Sequence, residues 1–226
     1  LVLSVHSVVS WDFAMAIVPG WHATIFAPYF VAGAIFSGVA MVITLVVPIR
    51  KIFGLEAYLT TKHFDAMAKL CLLTSLIVLY AYLCEFFLAW YSGEEIEKAS
   101  FWNRLFGDYW WATWTMLTCN GFVPIMLWFK RIRHSIPALF VISIFINIGM
   151  WFERYVIVVT SLHHEYEPFA WGIYRPSLTE MALMVGSFCW FGFWFLLFTR
   201  LLPPIAIAEL KEVLPAPIRK KTGEAY

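Results

Sequence analysis

Residues Val5 to Gly33 read VHSVVSWDFAMAIVPGWHATIFAPYFVAG, and this stretch decides the fold class. His6 and Asp12 interrupt an apolar opening that turns at Pro19-Gly20 and continues into a second, longer apolar segment. A helix that crosses a bilayer needs about 20 mainly apolar residues, and the second segment supplies them. Pro-Gly marks the stop and the turn between the two. An ionisable side chain at a membrane helix centre costs roughly 2.5–3.5 kcal/mol, so His6 and Asp12 are functional candidates from the outset.

The remaining sequence extends the pattern. Charged residues make up 14% and aromatic residues 19% of the 226 residues, with a mean hydropathy of +0.75. Soluble domains carry about 25% charge, so this chain is composed for lipid. No basic, aromatic-interleaved patch suggests nucleic acid as a partner. The chain opens at Leu1 inside an apolar stretch with no positive residues before it, which argues against a signal peptide and for the later part of a longer membrane protein. Cys71, Cys84, Cys119 and Cys189 stand singly in apolar runs, without the paired spacing of zinc, iron–sulfur or covalent haem sites.

Five complete spans are predicted, at Ala23–Pro48, Asp65–Tyr91, Trp110–Phe129, Ile136–Thr160 and Leu178–Pro203, preceded by the end of an earlier one at Leu1 to Val18. None shows the period-2 alternation of a barrel strand. The expected fold is therefore an all-α polytopic transmembrane helix bundle over residues 1–203, followed by a cytoplasmic C-terminal tail over 204–226. One set of connections carries eleven positive residues, from Arg50, Lys51 and Lys62, through Lys130, Arg131 and Arg133, to Arg200, Lys211, Arg219, Lys220 and Lys221. The opposite set carries Lys98, Arg104 and Arg175. The positive-inside rule places the first set in the cytoplasm. Trp21, His22, Glu94–Asp108 and His163–Arg175 then fall outside, where Trp90, Tyr91, Tyr109, Trp110 and Trp111 would form an interfacial belt. The acidic loops read as a solvated surface or as a docking face for a partner subunit.

At about 1.5 Å of rise per residue, Glu85 lies roughly 10 Å outward of the middle of its span, and Glu153 and Arg154 roughly 8 Å outward of theirs. Asp12 falls near the outer end of the first segment, with His6 roughly 9 Å deeper. Glu153 and Arg154 are neighbours about 100° apart on a helix, so different partners are expected, and Arg154 with Glu85 is the favoured pair. Interhelical pairing and a proton path both suit Glu85, Glu153 and Arg154. Asp65 and Lys69, spaced i,i+4, read either as a surface pair or as the entry of such a path. His6 and Ser10 share a helix face, while Asp12 points about 120° from His6. Two groups flanking a bound ring and ordinary interhelical bonding are both open readings. Asn120, Asn147 and Ser187 read as interhelical bonding groups. No paired His suited to haem lies in mid-span.

The run Val9–Gly38, with SWDF followed by PGWHATIFAPYFVAGAIFSG, resembles the NrfD/polysulfide-reductase type of quinone-interacting membrane subunit. Within that type it is more similar to the ActC-type than to the ActF-type subunits of bacterial alternative complex III. The likeness continues through TKHFDAMAKLCLLTSLIVLYAYLCEFFLAWYSG and NIGMWFERYVIVVTSLHHEY. It implies bundles of eight to ten helices in the bacterial inner membrane, without haem or metal of their own. Its members hold a quinol, menaquinol or ubiquinol, near the outer face beneath an iron–sulfur subunit. The implied partners also include a homologous NrfD-like membrane subunit, c-type cytochrome subunits, small membrane subunits and lipids. The family's quinol pocket uses an SxD passage and an upstream His, which places Ser10 and Asp12 in the pocket. Quinol oxidation releases two electrons and two protons, so Asp12 suits a proton acceptor and His6 a hydrogen-bonding partner. Trp11, Phe13, Trp21 and Phe30 would supply an apolar surround for the ring and its tail. The residues leave two other classes open: a transporter or channel with carboxylates lining its path, and a purely structural anchor for peripheral redox subunits.

Overall fold

The structure is a computed structural model that describes residues 1–21, 25–164, 166, 167, 169 and 171–203. His22, Glu165 and the tail 204–226, which the sequence assigns to two outer connections and the cytoplasm, lie outside the described residues. Every element among the described residues is helical. Among the described residues, four helices are long and apolar enough to cross a membrane: Phe26–Ile52, Thr61–Tyr91, Ile136–His163 and Leu178–Leu201. The chain divides into two compact units, Leu1–Tyr174 and Arg175–Tyr226.

In the first unit, α1 (Val2–Ala14) packs on α2 (Phe26–Ile52), and α2 packs on α3 (Thr61–Tyr91). A shorter helix, α4 (Glu95–Phe106), precedes α5 (Trp110–Leu117). The span expected at Trp110–Phe129 is helical but not uniform. Past α5 it opens into a π turn at Thr118–Phe122, returns to α6 (Val123–Ile125) and tightens into a 3₁₀ turn at Met126–Trp128. Pro124 has no N–H to offer the preceding turn, and insertion of a wider turn is a standard way to absorb that loss. After α7 (Lys130–Arg133), α8 (Ile136–Tyr155) continues through a second π turn at Val156–Thr160 into α9 (Ser161–His163). Pro48 sits inside α2, so that helix runs four residues beyond the end expected from the sequence.

The core lies where α2, α3, the α5–α6 run and α8 meet, and it pairs large with small side chains. Phe26, Phe36, Phe64, Leu139 and Ile146 are enclosed among Ala40, Ala68, Ala81 and Ala112. Lipid offers little hydrophobic drive for helix association, so close backbone approach and interhelical hydrogen bonds carry more of it. Gly149 shows such an approach: a Cβ there would collide with the Asn120 amide oxygen and stand 2.6 Å from Cys119 Cβ. Midway along the bundle, Asn147 Nδ2 donates to Thr44 Oγ1 at 2.9 Å, and Thr44 and Ser143 hydroxyls meet at 2.8 Å, tying α8 to α2. Facing away from the core, Leu73, Ile77, Tyr80, Leu83 and Phe87 of α3 stand exposed, as a lipid-facing stripe requires.

Each end of this unit is fastened by side chains. At the basic end, Arg133 Nε donates to Asp65 at 2.9 Å, and its Nη1 donates to the carbonyls of Leu127 (3.0 Å) and Trp128 (2.8 Å). At the acidic end, Trp21 Nε1 donates to the Ile157 carbonyl at 2.8 Å, and the Tyr174 amide donates to Tyr109 Oη at 2.7 Å. In the second unit, α10 (Leu178–Leu201) begins with Ser177 Oγ accepting from the Glu180 amide and the Glu180 carboxylate accepting from the Ser177 amide. This is a capping box, which satisfies two donors that the helix itself leaves unpaired.

Gly149→Ala is expected to lower stability by about 1–3 kcal/mol, the usual cost of overpacking. The readout is the thermal unfolding of the purified protein in detergent, compared with the exposed-site control Gly38→Ala, whose added methyl meets nothing within 4 Å.

Candidate functional site

Two polar regions stand out in the first unit, and the sequence pointed to both. The first is α1. Ser10 is fully buried and its hydroxyl donates to the Ser7 carbonyl at 2.6 Å. Phe13, on the same side, meets Trp21 edge-on at 4.8 Å and reaches Phe26 and Phe30 at 6.2 and 5.3 Å. Trp11 and Asp12 lie on the opposite, exposed side. His6 is half-buried, and its Nδ1 lies 3.0 Å from the Val2 carbonyl. That bond assigns the ring proton to Nδ1 and leaves Nε2 as an acceptor. Ser10, Phe13 and Trp21 are therefore gathered toward the bundle, whereas Trp11 and Asp12 are displayed away from it.

The second region is a polar cluster inside the bundle near its acidic end. Tyr82 of α3 donates its hydroxyl to Glu153 Oε2 of α8, and Asn120 Nδ2 donates to the same Tyr82 oxygen at 3.0 Å. Asn120 Nδ2 also stands 3.4 Å from Glu153 Oε2. Glu153 is completely buried, so its charge survives only through such donors and a nearby cation. The π turn at Thr118–Phe122 carries Asn120, and π turns recur at functional sites because they redirect single side chains.

The cation is Arg154, whose Nη2 lies 3.5 Å from Glu153 Oε1. The expected Arg154–Glu85 pair does not form among the described residues. A long guanidinium arm spans the roughly 100° between neighbouring helix positions, and here it also lies over the Phe30 ring at 4.2 Å. Glu85 instead interacts with Arg104 of α4, a residue the sequence placed in an outer connection. Arg104 is buried, donates from Nη2 to Ser161 Oγ at 2.6 Å, and stacks on Phe101 at 4.5 Å. Burial pulls its guanidinium below the ordinary arginine range, and Glu85 pulls the other way. A small cavity of about 20 Å³ lies beside this pair, lined by Tyr29, Tyr82, Glu85, Arg104, Thr113 and neighbouring apolar residues.

At the basic end, Asp65 and Lys69 form the expected i,i+4 pair at 2.6 Å, joined by Arg133 at 2.9 Å and His134 at 3.5 Å. Asp65 and Glu85 sit 20 residues apart on one helix, about 30 Å along its axis. Asn120 and Asn147 make interhelical bonds as anticipated, whereas Ser187 bonds the Leu183 carbonyl of its own helix. Tyr29, Tyr82, Arg104 and Thr113 were not singled out by the sequence. Tyr82 carried a usable signal in its i,i+3 spacing from Glu85, while Arg104 lay in a segment too polar to read as bundle. Among the described residues, no three His, Cys, Asp or Glu side chains gather into a metal-binding group.

A family model described as polysulphide reductase, NrfD, matches residues 1–164. The chain belongs to the NrfD family. Members of this family are membrane subunits of oxidoreductase complexes of the quinol-linked type, and they typically partner with iron–sulfur subunits. The matched region contains α1 and the whole buried cluster. A search of curated proteins gave no match.

Near the acidic end, Asn103 Nδ2 donates to His164 Nε2 at 2.6 Å, and His164 Nδ1 donates to the Thr160 carbonyl at 3.0 Å. This arrangement needs a neutral ring, and burial holds His164 below its ordinary value of 6.5. The unfolded chain therefore binds the proton more readily, so stability from this residue is complete above about pH 6.5 and declines as pH falls below it. Unfolding measured between pH 8 and pH 5 should show that decline, and His164→Gln should flatten it. Tyr82→Phe removes a donor from a buried carboxylate and should cost about 1–3 kcal/mol in the same assay.

Proposed function

We propose that this chain is the quinol-oxidising membrane subunit of a bacterial respiratory complex of the alternative complex III type. Quinol gives two electrons to an adjoining iron–sulfur subunit, from which they continue to c-type cytochrome subunits, and it releases two protons. The basic end of the bundle then faces the cytoplasm of the bacterial inner membrane, and the acidic end carries the redox partners.

The observation that carries this reading is the exposed side of α1. Asp12 is displayed there beside Trp11, amid the exposed apolar side chains of Val8, Val9 and Met15. A carboxylate set among apolar side chains near the outer end of a membrane segment is well placed to serve a ligand. Asp12 accepts one hydroxyl proton of the quinol. The His6 Nε2 lone pair accepts a hydrogen bond from the other hydroxyl, and Trp11 borders the ring. Ser10, Phe13 and Trp21 hold α1 in place from the bundle side. Menaquinol and ubiquinol both meet these requirements.

The buried cluster serves the protons. Glu85, Glu153 and Arg154 form a relay at the acidic end, with Asp65 and Lys69 marking its basic-end counterpart. Carboxylates held by neutral donors such as Tyr82 and Asn120 can take and give a proton without a large rearrangement.

Quinol:acceptor turnover of the intact complex carrying Asp12→Asn tests the reading. General-base catalysis contributes about 10²–10⁴-fold, so turnover should fall by at least about a hundredfold with subunit content unchanged. Normal turnover in the assembled variant would make Asp12 a structural residue and defeat the assignment. Glu153→Gln should leave quinol binding intact, as read by quenching of tryptophan fluorescence with a quinol analogue, while altering proton release in vesicles.

A further inference from the structure

The small cavity beside Glu85 has a property that the surrounding packing does not explain. Glu85 Oε1, Arg104 Nε and Thr113 Oγ1 are enclosed and make no hydrogen bond among the described residues, and all three residues line the cavity. Buried polar atoms are satisfied in the great majority of cases, and each orphan costs about 1–3 kcal/mol. Three orphans around one void make a common cause the economical explanation. The void measures about 20 Å³, above the 10–15 Å³ or so of probe volume that a water molecule requires. Its polarity also meets the second requirement, two to four polar partners.

We propose that this cavity is the binding site of a single structural water. Arg104 Nε–H donates to the water oxygen, one water hydrogen goes to Glu85 Oε1, and Thr113 Oγ1 completes the shell. Donors and acceptors balance with Glu85 ionised. With Glu85 protonated, the same water accepts from its hydroxyl and donates to Thr113. The aromatic walls Phe86 and Phe101, with ring centroids 5.4 Å apart, separate this polar space from a wider apolar groove of about 510 Å³ between α3 and α4. The water thus joins Glu85 to the Arg104–Ser161 bond near the acidic end. It gives Glu85 a hydrogen-bonding partner apart from the Tyr82–Glu153 pair, which bears on the relay reading above, whereas the water site itself does not rest on that reading.

Met116 provides the probe. It lines the cavity and is only 5% exposed, so bulk solvent does not reach it. X-ray irradiation converts bound water into hydroxyl radicals that oxidise whatever lies beside them. In the intact complex, Met116 should be oxidised at doses that also oxidise Met126, which is 47% exposed and serves as the dose standard. Thr113→Val should abolish the Met116 label without affecting Met126, and Thr113→Ser should retain it. An unlabelled Met116 in the native protein would overturn the proposal, as would a label that persists in Thr113→Val. Neither readout depends on quinol turnover, so a failed water site and a failed quinol assignment are told apart.

Discussion

The hydrogen bond from Tyr82 to Glu153 is the contact on which the first unit depends. It joins α3 to α8 inside the core, and Asn120 binds the same tyrosine oxygen from a third helix. A carboxylate with no exposed surface is costly in a membrane protein, and isolated burial would favour any packing that released it. Donors on two other helices therefore constrain the registers of all three. Gly149, one turn before Glu153, permits the approach by leaving room for the Asn120 side chain. The aromatic packing of Tyr29 on Tyr82, 5.7 Å between ring centres, extends the constraint to α2. Small residues, a buried acid and neutral donors thus act together, and none would hold the geometry alone.

Much of this was legible in the sequence. Apolar run length located the four long helices, and the clustering of Arg50, Lys130, Arg131 and Arg133 separated a basic end from an acidic one. The Asp65–Lys69 pair followed from helical spacing, because i,i+4 neighbours meet whatever the tertiary fold. Glu85 and Glu153 stood out because charge is rare within apolar runs. Partner choice was less accessible. Arg154 turned to its own neighbour, since side-chain reach and a stacking ring outweighed the angular separation of the backbone positions. Arg104 escaped notice because α4 is polar overall, and only the tertiary fold carries one of its residues into the bundle. The two π turns were equally hidden, as periodicity reports a regular helix and averages over a single inserted residue.

The two polar regions differ in kind. On α1, Asp12 and Trp11 are exposed, while Ser10 and Phe13 face the bundle. In the bundle the chemistry is enclosed, and Trp21 links the two regions by bonding the Ile157 carbonyl within the second π turn. A substrate that must be reached from lipid suits the first arrangement. A proton, which needs only hydrogen-bonded groups, suits the second. Under the proposed function, this division would keep the large molecule at the surface and leave only its protons to the fixed side chains of the bundle.

The balance of charge within the enclosed cluster has an electrical consequence. Glu85, Glu153, Arg104 and Arg154 in their ionised forms sum to zero. A transmembrane voltage exerts force on net charge, about 2.3 kcal/mol for each elementary charge carried across 100 mV. A quartet with all four groups ionised would feel no net force along the field. A proton added to such a cluster would carry the whole of its net charge, so under the proposed relay the net force of the voltage would fall on that proton.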